Sequence, residues 1–218
     1  PALYMGAMNV SVPAELKMTI DKAMEQSPEL KAMAEDGQEG EKLLKIARDL
    51  FSTNGFAATS TPQIVKAAGV TRGALYHHFA DKLDLFRAVV RTEAEAVAKH
   101  IEAETLNPKS AKEALTKGAE AYFAAIAMPG RARLLLIEGP AVLGRAEMAE
   151  IDRVTGGNEL KEGLDHAVET GALAATDTAI LADLLSAAFD RAGLAISEGA
   201  DARPYTKAIG QLLNGLLK

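Results

Sequence analysis

The sequence predicts an all-α fold. Alanine and leucine are abundant, aromatic residues make up only 5% of the 218 residues, and β-branched residues rarely follow one another, which together favour helices. Apolar residues recur at intervals of three and four along most of the chain, as they do on the buried face of a helix. A hydrophobic content of 48% is enough for a full core in one or two domains.

The composition argues against several classes of protein. The chain contains no cysteine, which excludes disulfides, thiolate catalysis and cysteine-ligated metal. It has no phosphate-binding glycine loop, nucleophile motif or spaced metal-ligand pair, so we expect no metal, no cofactor and no enzyme. A helical enzyme, which would require a pocket with convergent titratable groups, is kept as an alternative. No apolar run reaches the roughly 18 residues that span a bilayer, and no secretory signal opens the chain, so we expect a cytoplasmic protein without a membrane partner.

Residues 1–40 are expected to form an N-terminal extension with an additional helix. The helical pattern starts at Pro13, breaks at Ser27 and Pro28, and resumes to about Ala34; the polar stretch at residues 35–40 then indicates a loop. The extension carries three Lys and Arg against seven Asp and Glu. A packing helix is the simpler interpretation of this acidic segment, and a site for a protein partner is the alternative.

The pattern of a core-facing helix follows at residues 41–54. Its apolar residues lie at offsets of 0, 3, 4, 7 and 8 and share one face; they are Leu43, Ile46, Ala47, Leu50 and Phe51. Asn54 and Gly55 end this helix, and Phe56 is expected to fill the core beneath it.

Two short helices joined by a tight turn are predicted at residues 61–82. Thr61 is expected as the N-cap of the first helix and Pro62 as its first helical residue, because a hydroxyl and a proline favour those positions. Gly69 can adopt the left-handed conformation that ends a helix. Thr71 provides the N-cap of a second helix, which is only two turns long and ends at about residue 79.

The second of these helices presents one face away from the core. Leu75 and Phe79 lie four residues apart and face inwards, whereas Gly73 and His77 project the opposite way. A two-turn helix is unstable by itself in water. A helix this short that exposes polar side chains is best explained as a recognition segment that the rest of the domain supports. This is the design of a helix-turn-helix, whose second helix enters the DNA major groove.

The distribution of charge favours nucleic acid binding by the same segment. The whole chain has a formal charge of −6, but residues 41–92 carry eight Lys and Arg against four Asp and Glu, a net charge of +4. A basic segment can approach phosphates. A chance fluctuation of a few charges is the alternative.

The stretch GVTRGALYHHFADKLDLF at residues 69–86 resembles the recognition-helix region of the TetR/AcrR family of transcriptional regulators. The similarity lies in the glycine turn, the Leu–Tyr core, the aromatic-rich end and the lysine that follows, and it covers about residues 41–91. It implies a three-helix headpiece that binds DNA and a C-terminal helical domain that binds an effector and dimerises. Members commonly carry a basic arm before the first helix, whereas this chain is acidic there.

The exposed side of the second short helix holds the candidates for reading bases. Arg72, Tyr76 and His77 can reach base edges, and Arg72 is best matched to guanine. Gly73 lets the backbone approach DNA closely, and Ala74 can offer a methyl contact to thymine. Phosphate contacts, which fix the register of a protein on DNA, are expected from Thr61, Gln63, Thr71, Tyr76 and Lys82.

Lys82 occupies an unusual position. Asp81 is the predicted N-cap of the next helix, so Lys82 lies at the positive end of that helix, where a cation is disfavoured. A lysine beside exposed amide groups is explained if a DNA phosphate docks there; an unpaired surface lysine is the alternative.

The remainder of the chain is predicted to be helical. Interruptions are expected at Gly139 and Pro140, and again at residues 155–158. The predicted helices run from Asp81 to about Leu106 and over residues 110–127, 131–143, 146–171, 177–198 and 202–217. The last two are apolar on more than one stripe, which exceeds what a monomer core can cover. We therefore expect a homodimer joined through them on a pseudo-palindromic double-stranded DNA operator; a fully internal helix pair is the alternative.

The resemblance also implies a small-molecule effector that releases the protein from DNA. Its binding would shift the population of conformations, move the fourth helix and alter the spacing of the two recognition helices. Candidate pocket residues, chosen by position and amphipathic character, are Tyr122, Phe123, Met148 and His166; core packing is the alternative for each. We assign residues 1–40 to the extension, 41–91 to DNA binding and 92–218 to ligand binding and dimerisation. The rival function is a helix-turn-helix subunit of a larger assembly without an effector.

Overall fold

The computed structural model describes residues 28–155 and 158–217, and within these ranges it is helical, which confirms the predicted all-α class. The helices are α1 (Pro28–Asn54), α2 (Thr61–Ala68), α3 (Arg72–His78), α4 (Lys82–Glu104), α5 (Ala111–Ile126), a π-helical segment (Arg133–Glu138), α6 (Gly139–Val142), α7 (Arg145–Thr155), α8 (Glu159–Glu169), α9 (Thr178–Ser197) and α10 (Ala202–Leu216). Within the same residues, every helix is too short or too polar to cross a membrane.

Helix α1 begins at Pro28 and runs without interruption to Asn54. The predicted loop at residues 35–40 is therefore wrong. Gly40 lies inside this helix, where the lack of a side chain allows His78 to come close: a Cβ atom at Gly40 would lie 3.3 Å from Nδ1 of His78. The ring of His78 thus packs directly on the backbone of α1. The helix predicted to start at Pro13 lies outside the described residues.

The core of the headpiece lies between α1, α2, α3 and the first half of α4. Ile64 and Leu75 are fully buried in it. The ring of Phe86 lies 5.1 Å from that of Phe51 and 5.0 Å from that of Phe56, edge to face in both cases. Each such pair contributes about 0.5–1.5 kcal/mol beyond the area that it buries. Phe56 fills the headpiece core as predicted.

Helix α2 starts one residue before the predicted position. Ser60, in an extended conformation, is the N-cap, and its N–H and hydroxyl groups both donate to Oε1 of Gln63, at 2.7 and 2.8 Å. Thr61 is therefore the first helical residue, and not the N-cap, and Pro62 is the second. A side chain three residues into the helix that bonds back to the N-cap fixes where the helix begins.

Helix α5 is central to the C-terminal part of the chain. It packs against α4 on one side and against α8, α9 and α10 on the other. The apolar side chains between these helices form a second core; its buried members include Leu115, Phe123, Leu164, Phe189 and Leu213.

The interruption predicted at Gly139 and Pro140 is also wrong, because the chain stays helical from Arg133 to Val142. The turn before Gly139 widens to a π-helix, and Pro140, which has no amide hydrogen to donate, falls in the first turn of α6. A Cβ atom at Gly139 would lie 2.8 Å from Sδ of Met148. Glycine therefore allows α7 to pack closely at this point.

A buried carboxylate joins the headpiece to the C-terminal part. Glu93 of α4 lies between Arg48 of α1 and Arg131, whose Nε atoms are 3.1 and 2.8 Å from its oxygens. Burial alone would raise the pKa of Glu93, but the hydrogen bonds and charges of the two guanidinium groups outweigh it and lower the pKa. The three side chains therefore form a charged cluster that holds α1 and α4 against the chain after α5.

The π-helical segment holds the end of α1. Arg133 donates to the carbonyl oxygen of Thr53 at 2.6 Å, and Glu138 accepts from the N–H of Phe56 at 3.0 Å. Gly55, with φ of +84°, leaves no room for a Cβ atom, which would lie 2.5 Å from Oε1 of Glu138. These contacts satisfy backbone groups that the end of α1 leaves free, and they fix the segment to the headpiece.

Candidate nucleic-acid interface and ligand cavity

The turn between α2 and α3 is built around Gly69, as predicted. Its φ of 64° and ψ of 32° are left-handed. The N–H of Val70 donates to the carbonyl oxygen of Val65 at 3.1 Å, and the N–H of Gly69 to that of Lys66 at 3.3 Å. This pair of bonds closes the end of α2 and turns the chain towards α3.

Helix α3 is held by its cap and by one buried side chain. Thr71, the predicted N-cap, accepts a hydrogen bond from the N–H of Ala74 at 3.0 Å. Leu75 is fully buried beneath the helix. A helix of seven residues has little stability of its own, so these contacts determine its orientation.

Within the described residues, the opposite face of α3 is exposed, as predicted. Arg72, Gly73 and His77 are exposed, and Tyr76 is 41% exposed. The guanidinium carbon of Arg72 lies 5.4 Å from the centroid of the Tyr76 ring. The candidate base-reading side chains therefore lie together on one accessible surface.

Gly73 has no structural explanation within the described chain. Its φ is not positive, and a Cβ atom there would meet only Oγ1 of Thr71, at 3.7 Å. Glycine inside a helix costs about 0.5–1 kcal/mol relative to alanine. An exposed helical glycine without an internal contact is explained if another molecule approaches the backbone of α3.

Three of the predicted phosphate contacts lie at the starts of α2 and α3. Thr61 and Gln63 belong to the first turn of α2, and Thr71 caps α3. The side-chain carbonyl oxygen of Gln63 accepts the hydrogen bonds from Ser60, whereas the side-chain NH₂ group of Gln63 makes no hydrogen bond to any described residue. An amide NH₂ provides two donors, and these remain for an external acceptor.

Lys82 has partners that its position in the sequence does not reveal. Its Nζ atom donates to the carbonyl oxygens of Phe56 and Thr59 at 2.9 and 3.0 Å, and it lies 4.0 Å from the centroid of the Phe56 ring. These contacts explain a lysine at the start of α4 without DNA. An ammonium group has three N–H donors, so a phosphate contact through the third stays a prediction.

The C-terminal part contains a cavity of about 600 Å³, bounded by α4, α5, the π-helical segment and α6–α9. This volume is typical of small-molecule sites. Tyr122 and Met148 line it. Phe123 does not, because it is buried in the second core, and His166 is exposed on α8 beside Glu169. We therefore withdraw Phe123 and His166 from the candidate ligand site.

Five carboxyl groups line the cavity: Glu102 of α4, Asp152 of α7, Glu159 and Glu162 of α8, and Asp190 of α9. No lysine, arginine or histidine is among its described lining residues. Most of the other walls are aliphatic or aromatic. The cavity therefore combines apolar walls with charge of a single sign.

The surroundings of these carboxyl groups raise several of their pKa values. Asp152 is accessible to water, yet the protein around it and the charge of Asp190 raise its pKa to about 6. Burial also raises the pKa of Asp190, although the hydroxyl of Tyr122 donates to its Oδ1 at 2.6 Å. Burial and the neighbouring carboxylates raise the pKa of Glu159. The cavity thus holds acids that repel one another when they are ionised.

Comparison with known proteins decides the family. A model described as bacterial regulatory proteins of the tetR family matches residues 43–89, and a tetracyclin repressor-like C-terminal domain matches residues 112–218. A TetR-family transcriptional regulator from Pectobacterium atrosepticum is 30% identical, with a TM-score of 0.66, over 84% of this chain and 96% of that one. The chain belongs to the TetR family. It is a helix-turn-helix transcriptional regulator.

Two further relatives are similar to this TetR-family chain over different lengths. The regulator AcrR of Shigella flexneri is 55% identical over 47 residues, which are 22% of each chain; the matches to curated relatives of this kind span only about a quarter of their lengths. The regulator FadR of Bacillus subtilis, solved with stearoyl-CoA, is 19% identical with a TM-score of 0.70, over 79% of this chain and 96% of that one. This second likeness shows the fold alone.

In this TetR-family headpiece, the long α1 brings an acidic residue to α3. Oδ1 of Asp36 lies 3.4 Å from Nε2 of both His77 and His78. The Nε2 atom of His78 is buried and forms no hydrogen bond with any described residue. Asp36 is absent from the predicted site residues because residues 35–40 were expected to form a loop, which would not place Asp36 beside α3.

The cavity carboxyl groups were missed as well, although a signal existed for one of them. Asp152 follows Met148, a predicted pocket residue, by four positions and therefore lies on the same face of α7. Asp190 follows the buried Phe189 in a mainly apolar helix, a pattern that does not distinguish a cavity from a surface. The cavity itself depends on space that seven helical elements leave unfilled, which no local pattern encodes.

Proposed function

We propose that this protein is a one-component transcriptional repressor that acts in the cytoplasm. It binds a pseudo-palindromic DNA operator as a homodimer, and a small-molecule effector releases it. Residues 41–91 form the DNA-binding headpiece, and residues 92–218 form the ligand-binding and dimerisation domain. The match to a tetracyclin repressor-like domain supports repression.

The observation that carries DNA binding is the free face of α3. Among the described residues, Arg72, Tyr76 and His77 are exposed there, around a glycine that no internal contact requires. Asp36 of α1 lies beside this face, with Oδ1 3.4 Å from Nε2 of His77. Arginine can bond to both acceptors of a guanine edge. A glycine between such side chains allows the helix to enter the major groove deeply.

Exposed apolar residues on the last two helices support a homodimer. Ile180 and Leu184 of α9 are 60% and 63% exposed, and Leu212 of α10 is 53% exposed. Gly210 and Gly215 of α10 have no atom within 4 Å of an added Cβ, so nothing within the subunit requires glycine there. Apolar side chains and small residues on adjacent helices favour close packing against a second copy.

The cavity supports an effector, and two connections lead from it to the headpiece. Leu135 of the π-helical segment lines the cavity, while Arg133 and Glu138 of the same segment hold the end of α1. Glu147 of α7 forms an ion pair with Arg87 of α4. An effector that displaces α7 or the π-helical segment would therefore shift α4 and the headpiece. It would reduce DNA affinity by favouring a conformation of the protein that binds DNA less well.

The alternatives have less support. A subunit of a larger assembly without an effector has no need for a cavity of about 600 Å³. We propose no catalytic activity: the hydroxyls of Thr105 and Thr155 donate to backbone carbonyls, and Ser186 bonds to no carboxylate within the described residues. A nucleophile in the cavity would need a base within hydrogen-bond reach.

Selection from a randomised double-stranded DNA library tests the proposal. An inverted repeat should be enriched, and Arg72→Ala should relax the preference at one base pair of each half-site, by about 1–3 kcal/mol. Lys112→Ala, which removes an exposed cation from α5, is the control and should leave the preference unchanged. Failure to enrich any sequence would contradict DNA recognition, and a uniform loss of affinity in Arg72→Ala would contradict base reading by this residue.

A further inference from the structure

The described lining residues of the cavity carry charge of one sign only. Its five carboxyl groups come from four helices, and none of those lining residues is basic. Arg145 lines an adjoining depression together with Asp190, but no hydrogen bond or ion pair joins the two within the described chain. Carboxylates that face a partly desolvated space without a cation destabilise one another.

The arrangement of these groups does not suit a metal ion. Within the described residues, no three histidine, aspartate or glutamate side chains converge closely enough to coordinate one. The negative charge is instead spread over α4, α7, α8 and α9, around walls that include Leu115, Leu135 and Phe189. A metal ion needs several ligands at one point, whereas a large organic ion can meet separate charges and apolar walls at the same time.

We infer that the cavity binds an organic cation with an apolar body, such as a lipophilic amine, quaternary ammonium or phosphonium compound. Asp152 of α7 and Asp190 of α9 both line the cavity and neutralise the charge of the ligand, and Tyr122 and Phe189, which also line it, supply aromatic rings for cation–π contact. This inference rests on the proposed function and names the chemical class of its effector. A carboxylate or phosphate ligand would instead meet charges of its own sign.

The same geometry makes binding dependent on pH. The affinity for a permanent cation should rise from about pH 5 to about pH 7.5, because Asp152, whose pKa is raised to about 6, loses its proton in this range. The other titratable groups around it are Asp190, the Tyr122 hydroxyl, the glutamates named above and, in the adjoining depression, Arg145. Below the pKa of Asp152 the cavity offers less negative charge.

Two pairs of probes separate charge from shape. Tetraphenylphosphonium and tetraphenylborate have nearly the same bulky shape and opposite charges, and decyltrimethylammonium and decyl sulfate form a slender pair. Isothermal titration calorimetry with the full chain should show that the cation of at least one pair binds about tenfold or more tightly than its anion. Equal or stronger binding of the anions in both pairs, or no binding of either cation up to millimolar concentration, would overturn the inference.

Variants locate the effect in the cavity. The double variant Asp152→Asn and Asp190→Asn should lose about tenfold or more in cation affinity and should keep only a weak pH dependence, because Glu159 remains as a cavity acid whose pKa is raised. It should also melt at a higher temperature near pH 7.5, because two mutually repelling acids are removed, so weaker binding will not reflect unfolding. Glu120→Gln, which removes an exposed carboxylate of α5 outside the cavity, is the control. Unchanged cation affinity in the double variant would assign the binding to another surface.

A DNA-binding measurement in the same samples separates this inference from the proposed function. If the protein binds its selected DNA and a bound cation releases it, both hold. If it binds DNA but fails to prefer cations, the cation inference fails and the regulator remains. If it prefers cations but binds no DNA, the proposed function fails and the cavity assignment stands.

Discussion

Gly40 and Gly73 both lie inside helices, but their surroundings differ. The ring of His78 packs closely on Gly40, with Nδ1 3.3 Å from the position of an added Cβ atom, so glycine favours tight packing there. Gly73 lies on the exposed side of α3, where an added Cβ atom would meet only Oγ1 of Thr71. The first glycine is explained by the fold, whereas no contact within the described residues explains the second.

Gly73→Ala should therefore stabilise the protein and weaken its binding to DNA. The free energy of unfolding should rise by about 0.5–1 kcal/mol, because alanine loses less backbone entropy in a helix, while the added methyl group separates α3 from the bases. Urea unfolding and DNA affinity at fixed salt measure the two effects. Gly37→Ala is a matched control, since nothing lies within 4 Å of an added Cβ there: it should gain stability without losing affinity. Unaltered DNA binding by Gly73→Ala would contradict the assigned interface.

At the scale of helices, local sequence predicts boundaries well where a cap decides them. Thr71 and Asp81 were predicted correctly as N-caps, and Gly69 as a helix end. The N-cap of α2 was predicted at Thr61 but is Ser60. Helix breaks were wrongly predicted at residues 35–40 and at Gly139. A glycine can end a helix, or it can lie inside one where a neighbouring side chain packs closely, and the sequence alone does not distinguish these two roles. Only the tertiary contact, such as that of Met148 with Gly139, distinguishes the two cases.

The charged cluster of Glu93, Arg48 and Arg131 could not be predicted from the sequence pattern, because it too depends on tertiary contacts. Glu93 lies on the apolar face of α4, where periodicity predicts a hydrophobic residue, and its partners Arg48 and Arg131 are 45 and 38 positions away. A charged residue on a buried face indicates that partners exist, but the sequence does not say which. The packing of α1 and α4 supplies them.

Glu93→Gln should destabilise the protein by about 3–5 kcal/mol near neutral pH, because it leaves two partly buried guanidinium groups without their carboxylate. The pKa of Glu93 is lowered below the ordinary value of 4.5, so its contribution is fully present above about pH 4.5 and is lost as pH falls through the folded-state pKa. The difference in unfolding free energy between the two proteins should thus be constant from about pH 6 to 8 and shrink below about pH 4.5. Glu120→Gln, an exposed substitution, should have little effect. A difference that persists unchanged at low pH would contradict this assignment.

Charge is distributed unevenly along the chain. The basic residues 41–92 belong to the headpiece and α4, whereas the acidic remainder includes the carboxyl groups of the cavity. If the headpiece binds DNA as proposed, this division favours approach with the headpiece first. A cation bound in the cavity, as inferred above, would also lie apart from that basic segment.

Two headpieces can engage DNA together only if the subunits are joined, so dimerisation and DNA affinity should fail together. Leu184→Glu places a charge on the exposed apolar face of α9, and should yield monomers that bind operator DNA about 100-fold or more weakly, because the second half-site no longer benefits from linkage. Analytical ultracentrifugation and DNA binding at the same protein concentration measure both properties. Leu106→Glu changes a leucine that is equally exposed, at 66%, but lies outside the last two helices, and it should remain dimeric. If Leu184→Glu is monomeric yet binds the inverted repeat as tightly as the parent protein, a dimer does not read the two half-sites. An effector could then not release the protein by changing the spacing of two recognition helices.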